Sequence, residues 1–113
     1  MSDRPAHLII QDMLDSIANI LAYTDGMNEG LFLADKKTRD AVERNLEIIG
    51  EAANHLPDEI YLTHNHIEWH RIISLRNRLI HSYFSIKQNI VWNIIVNFLP
   101  PLKIQLENIL KEL

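Results

Sequence analysis

Apolar side chains recur every three or four residues along almost the whole chain, and only three glycines and four prolines interrupt them. That spacing lays one stripe along an α-helix and cannot put alternate residues on one face of a strand, so the fold class it demands is all-α. The first helix is expected over about residues 4–24, with Asp3 as N-cap and Ile10, Met13, Leu14, Ile17, Leu21 and Thr24 on one face. Asp25-Gly26 breaks it, and a loop through Asn28, Glu29 and Gly30 follows. Asp35 then caps a second helix to about Leu56, with Val42, Leu46, Ile49, Ala53 and Leu56 in line, and Pro57 stops it. Asn65 followed by Glu68 has the spacing of a capping box for a third helix over about 66–83, and Ser85 with Gln88 repeats it for a fourth over about 86–98. Pro100-Pro101 kinks the chain or restarts it as a last amphipathic segment through Leu106, Ile109, Leu110 and Leu113. The expected architecture is a four- to five-helix antiparallel bundle with short loops.

A chain of 113 residues fits one domain, 1–113, and at 47% hydrophobic it needs no covalent staple. It has no cysteine, which excludes a disulfide framework, a thiolate metal site and a cysteine nucleophile, and makes a reducing cytoplasm the expected compartment. The opening residues carry no leader pattern, and the longest apolar stretch, Gln88 to Leu102, is too short and too interrupted by proline to cross a membrane. No Gly-rich phosphate loop, spaced pair of catalytic acids or Ser-His-Asp order is present. The formal charge is −4, which argues against a general nucleic-acid coat. Its distribution is uneven. Between His64 and Lys87 stand Arg71, Arg76, Arg78 and Lys87 against one acid, Glu68, and the same stretch holds four of the six histidines.

On an ideal helix Trp69, Ile72, Ile73, Leu79, Ile80 and Tyr83 all fall within about 60° of Arg76, which places Arg76 in the middle of the apolar stripe. His66, His70, Ser74, Asn77 and His81 form a column roughly 120° away, and Arg71 and Arg78 lie farther toward solvent. A guanidinium among aliphatic side chains needs a partner or an open cleft, because it cannot shed its charge. Two readings are open: an ion pair with a carboxylate of the column Glu43, Glu47 and Glu51, or a clamp for phosphate, whose geometry the planar fork matches. His81 is of a residue type that exchanges protons near neutral pH, and Asn77 can orient or hydrogen-bond. His66 and His70, one turn apart with His64 or Glu68 nearby, allow a weak metal reading, but Ile67 stands where a zinc-binding helix of the H-E-x-x-H kind needs glutamate. Trp69, Trp92 and Phe98 read as core anchors.

The run Arg76-Asn77-Arg78-Leu79-Ile80-His81-Ser82-Tyr83 has the form R-N-x-x-x-H-x-Y and resembles the active motif of the HEPN superfamily, specifically its HepT-like group. The string Arg44-Asn45-Leu46-Glu47-Ile48-Ile49-Gly50-Glu51-Ala52, Trp69 before the motif and Val91-Trp92 after it are similar to that group as well, so the resemblance spans essentially the whole chain. It implies a HEPN-like bundle acting as a metal-independent endoribonuclease toxin that needs no cofactor and commonly cuts tRNA. The partner it implies is a small MntA-like nucleotidyltransferase antitoxin, in a type VII toxin–antitoxin system. In that scheme two copies pair so that both motifs border one cleft, Arg76 and His81 carry catalysis, Asn77 supports them, and the antitoxin places AMP on Tyr83. Arg71, Arg78 and His70 are candidates for contacts to RNA. The alternative is a non-catalytic subunit that docks and assists the nucleotidyltransferase. For the pairing surface the second helix offers Ala41, Ile48 and Ala52, with the small residues Gly50 and Ala53 able to admit a close helix, either within the subunit or between copies.

Overall fold

The computed structural model describes residues 4–80 and 87–113. Its elements are α1 (Ala6–Tyr23), α2 (Glu29–Ala34), α3 (Lys36–Ala53), α4 (Asp58–Thr63), α5 (Trp69–Ile80), α6 (Gln88–Asn93), a π-helical turn (Ile94–Phe98) and α7 (Leu99–Glu112). No strand occurs among the described residues, as the periodicity requires. Helix α3 packs between α1 and α5, and α1 packs on its other side against α7. The core lies where these helices face one another: Ile10, Met13, Ile17 and Ile20 of α1 meet Leu46 and Ile49 of α3, Ile72 of α5 and Leu99, Leu102, Leu106 and Ile109 of α7. Burying each such side chain stabilises the fold by about 1.5–3 kcal/mol, so this cluster supplies most of the drive to fold.

The stripes expected on the first two long helices are the buried faces. Val42, Leu46, Ile49, Ala53 and Leu56 are all buried, as are Ile10, Met13, Leu14, Ile17 and Thr24, while Leu21 is half-buried. One polar link crosses the α1–α3 contact: Asn19 Nδ2 donates to Asn45 Oδ1 at 3.1 Å, and Asn45 Nδ2 donates to the Ala41 carbonyl at 2.9 Å. Asn45 is therefore buried with its amide satisfied on both sides.

Two short helices correct the loops expected from sequence. Asn28 accepts from the Leu31 N–H at 2.9 Å and caps α2, just after Gly26 turns the chain at φ 76°. Pro57 ends the preceding segment but also precedes α4, whose first turn carries Asp58 and Glu59 where the helix dipole favours acids. Asp35 caps α3 as expected, accepting from the Thr38 N–H at 3.1 Å. The capping box at Asn65 and Glu68 does not form as read. Helix α5 starts at Trp69, with the Glu68 carbonyl accepting its first backbone bonds. Trp69 explains the later start: its ring is buried, its Nε1 donates to the His64 carbonyl at 3.0 Å, and it stands edge-on to Tyr61 at 5.7 Å. Helix α1 begins at Ala6 with Pro5 in the N-cap position, and α6 begins at Gln88 with Lys87 there, two residues later than the expected Asp3 and Ser85 caps and the expected start at Ile86, and neither has a side-chain cap. The expected end of the third helix at Tyr83 lies outside the described residues.

Pro100 and Pro101 open the last amphipathic segment as expected, in the first turn of α7, where Leu106 and Ile109 are buried, but without a gap in the helical chain. The Leu99 N–H donates to the Ile94 carbonyl, a five-residue closure, and this wider turn lets α6 run on into α7 with both prolines in its first turn. Among the anchoring aromatics, Trp92 is half-buried against Phe32 at 5.3 Å, and Phe98 is half-buried under the guanidinium of Arg71 at 5.1 Å.

Helices α3 and α5 approach one another closely at Gly50. A Cβ there would stand 2.6 Å from Arg76 Cβ, 3.0 Å from the Ile72 carbonyl oxygen and 3.1 Å from the Arg76 nitrogen. The small residue thus serves the α3–α5 contact within the subunit, and Ala53 is likewise buried in the core. Gly50→Ala gains up to about 1 kcal/mol of helix propensity but drives a methyl group into backbone that cannot retreat cheaply. The clash should win, lowering stability by about 1–3 kcal/mol in a thermal or urea melt.

Candidate functional site

Arg76 does not sit in the middle of the buried stripe. Among the described side chains of α5 the buried ones are Trp69, Ile72, Leu75 and Leu79, which centre the face on the Leu75 side, with Ile73 only half-buried. Helix α5 is rolled so that α3 lies beneath its Ile72–Arg76 ridge, and Arg76 falls at the edge of the apolar face with its side chain 36% exposed. That edge position removes most of the desolvation cost of the charge. The Arg76 stem rests on Gly50 and its head reaches the next residue of α3: Nε lies 2.7 Å from Glu51 Oε2. Nη1 donates to Asn77 Oδ1 at 3.1 Å. Of the three glutamates expected as partners, Glu51 is the one used. Glu43 is turned toward Gln88, and its carboxyl is pushed up first by burial and then by the charge of Asp40.

The pairing does not enclose the guanidinium. Arg76 borders a groove of about 510 Å³ that runs between α1 and α3. Three arginines line it, Arg4, Arg44 and Arg76, against four carboxylates, Asp12, Asp15, Glu47 and Glu51, with His55 beside them. Much of this charge is already matched, since Arg4 grips Asp12 through two contacts of 2.9 Å. Glu51 carries a second neighbour: His55 Nε2 lies 2.9 Å from its Oε1. His55 first, and the field of Arg76 after it, hold the Glu51 carboxyl below the usual carboxylate range. His55 and Glu51 were not singled out from the sequence as one unit. Their signal is the i, i+4 spacing, with Glu51 on the helix that carries the close-contact glycine and His55 just past its end.

The structure brings Arg76 and Asn77 together and sends the other described candidates elsewhere. Arg71 is on another side of α5, 3.3 Å from Glu68 Oε2 and over the Phe98 ring. His70 is exposed beside a separate depression that includes Tyr61, Trp69 and Ile73, and Arg78 is exposed. His66 is also exposed, 6.0 Å from His64 between ring centres. Among the described residues no three His, Asp or Glu side chains gather as a metal site would need. His81 and Tyr83 lie outside the described residues.

Because the folded pKa of Glu51 is depressed, its pairing stabilises the fold above the ordinary carboxylate pKa and is lost as pH falls through the lowered value. An NMR titration of the Glu51 carboxyl should show that low midpoint, and His55→Ala should raise it more than Arg76→Ala does.

Comparison with known proteins adds the family. A protein of Methanocaldococcus jannaschii named "Putative RNase MJ0127" is 35% identical over 113 residues, all of this chain and 93% of that protein. The "Probable ribonuclease HepT" of Thermococcus cleftensis is 35% identical over 102 residues, 90% of this chain and 93% of its own length. "Putative RNase TTE0752" of Caldanaerobacter subterraneus subsp. tengcongensis is 32% identical over 103 residues, 91% of this chain and 92% of its own. No solved structure is matched. Among the described residues no helix is long and apolar enough to cross a membrane. The family model described as ribonuclease HepT-like matches residues 13–109, which contain the α3 contact, Arg76 and the rest of its motif, and the chain belongs to that family of endoribonucleases.

Proposed function

We propose that this chain is the ribonuclease toxin of a type VII toxin–antitoxin pair, cutting tRNA or another cellular RNA in the cytoplasm without a metal ion. The observation that carries the reading is Arg76: the first residue of the family motif is a half-exposed guanidinium at the border of an open groove, held at one end and able to meet an anion at the other. His81 takes the proton of the 2′-hydroxyl as that oxygen attacks the adjacent phosphorus, or gives a proton to the departing 5′-oxygen. Arg76 stabilises the charge that grows on the non-bridging oxygens, and Asn77, its hydrogen-bond partner, supports its placement.

One histidine cannot serve as base and acid in the same instant, so the reading includes a homodimer in which both motifs border one cleft and each copy supplies one of the two groups. Pairing also doubles the basic segment, with Arg71, Arg78 and His70 as further contacts to RNA. An MntA-like nucleotidyltransferase acts as antitoxin by placing AMP on Tyr83, where added bulk and negative charge repel the RNA phosphate.

A second reading has its own observation. The groove beside Arg76 carries acids and bases in near balance, a surface better suited to a protein than to a polyanion. On that reading the chain is a non-catalytic subunit that binds and assists the nucleotidyltransferase.

Purified wild type, free of any partner and with chelator present, should cut RNA. His81→Ala should lower the rate by about 10²–10⁴-fold with an unchanged thermal melt, and should relieve growth arrest when the gene is briefly induced. A wild type that cuts no RNA, or a stable heterocomplex whose properties ignore His81→Ala, would sink the toxin reading in favour of the second.

A further inference from the structure

Glu51 stands at the meeting of three observations. Gly50 lets the stem of Arg76 rest directly on α3, with no side chain between the helices. Glu51, the next residue, places Oε2 2.7 Å from Nε of the same arginine. Its other oxygen lies 2.9 Å from Nε2 of His55, four residues on in the turn just past the end of α3, so the carboxylate is held from two sides. An exposed arginine otherwise samples many rotamers, and a group that must meet a developing charge works best when its direction is fixed beforehand. The pair at Nε occupies the near end of the fork and Asn77 takes one position at Nη1, so the described contacts leave the terminal nitrogens room for a ligand.

We propose that Glu51 is a positioning residue for Arg76: from the helix contact that Gly50 opens, it fixes the Nε end of the guanidinium so that the far end of the fork meets a phosphate of the substrate. The proposal rests on the ribonuclease reading for its consequence in catalysis, but the holding of Arg76 is a property of the chain itself. Glu51 touches no reacting atom. It adds a negative charge close to an anionic substrate, so its benefit belongs in the chemical step and not in affinity. A side chain that only stabilised the fold would have no such split.

The test uses the full chain. Relaxation of the Arg76 Nε signal by NMR should show a restricted guanidinium in the wild type, and in Glu51→Gln a motion close to that of exposed Arg78. In RNA cleavage Glu51→Gln should lower kcat by roughly 10- to 100-fold, leave KM unchanged or lower, and shift the thermal melt only slightly, since the pair is half-exposed. In an Arg76→Lys background, which lacks Nε, Glu51→Gln should cause little further loss. An Arg76 that stays as restricted without the carboxylate overturns the proposal whatever the nuclease does, and so does an equal loss of kcat in the lysine background. A wild type that cuts no RNA while Arg76 still loosens in Glu51→Gln removes the ribonuclease reading and leaves the holding role standing.

Discussion

At Gly50 two helices touch backbone to stem, and the position of the candidate site follows from that contact. With any side chain at residue 50, α5 would be pushed away from α3 and Arg76 would be lifted off the helix that supplies its partner. With glycine there, the arginine's aliphatic part covers apolar surface while its head reaches the rim beside Glu51. The charge is thus neither stranded in the core nor loose in solvent. A buried pair would have to offset a large desolvation cost, and a fully exposed one would fix nothing, so the half-exposed rim is where an ion pair can orient a group that must still meet a ligand.

Most of the architecture was legible in the sequence because α1 and α3 each bury a single stripe, and the residues that form it are aliphatic at helical spacing. The reading failed where local pattern is not what decides. Helices α2 and α4 have six residues each, too few for a period to show, and only a capping Asn28 and the acids after Pro57 mark them. On α5 the apolar residues Ile73, Ile80 and Tyr83 drew the expected stripe toward Arg76, whereas the roll of the helix against α3 turned Leu75, outside that stripe, inward and left Ile73 half-buried. The partner of Arg76 could be narrowed to three glutamates but not to one, because the choice depends on register across a tertiary contact. Gly50 beside Glu51 was the available clue.

The basic character of the segment from His64 to Lys87 does not form one positive face. Arg71 is engaged by Glu68 and the Phe98 ring, Arg76 by Glu51, and Arg78 extends into solvent on another side. Sequence arithmetic counts charges, whereas a phosphate backbone responds to where they stand and which are already compensated. The groove by Arg76 illustrates the difference, since its arginines are outnumbered by carboxylates within the same walls.

The wide turn at Ile94–Phe98 holds one more residue than a regular winding would, and everything after it is turned relative to everything before. The inward residues of α7 keep their alignment with the core only because that surplus is present, and Phe98 meets Arg71 from the same offset. The segment should therefore keep its length among related chains, because losing a single position would swing the entire carboxyl-terminal arm by about a quarter turn and strand its leucines in water.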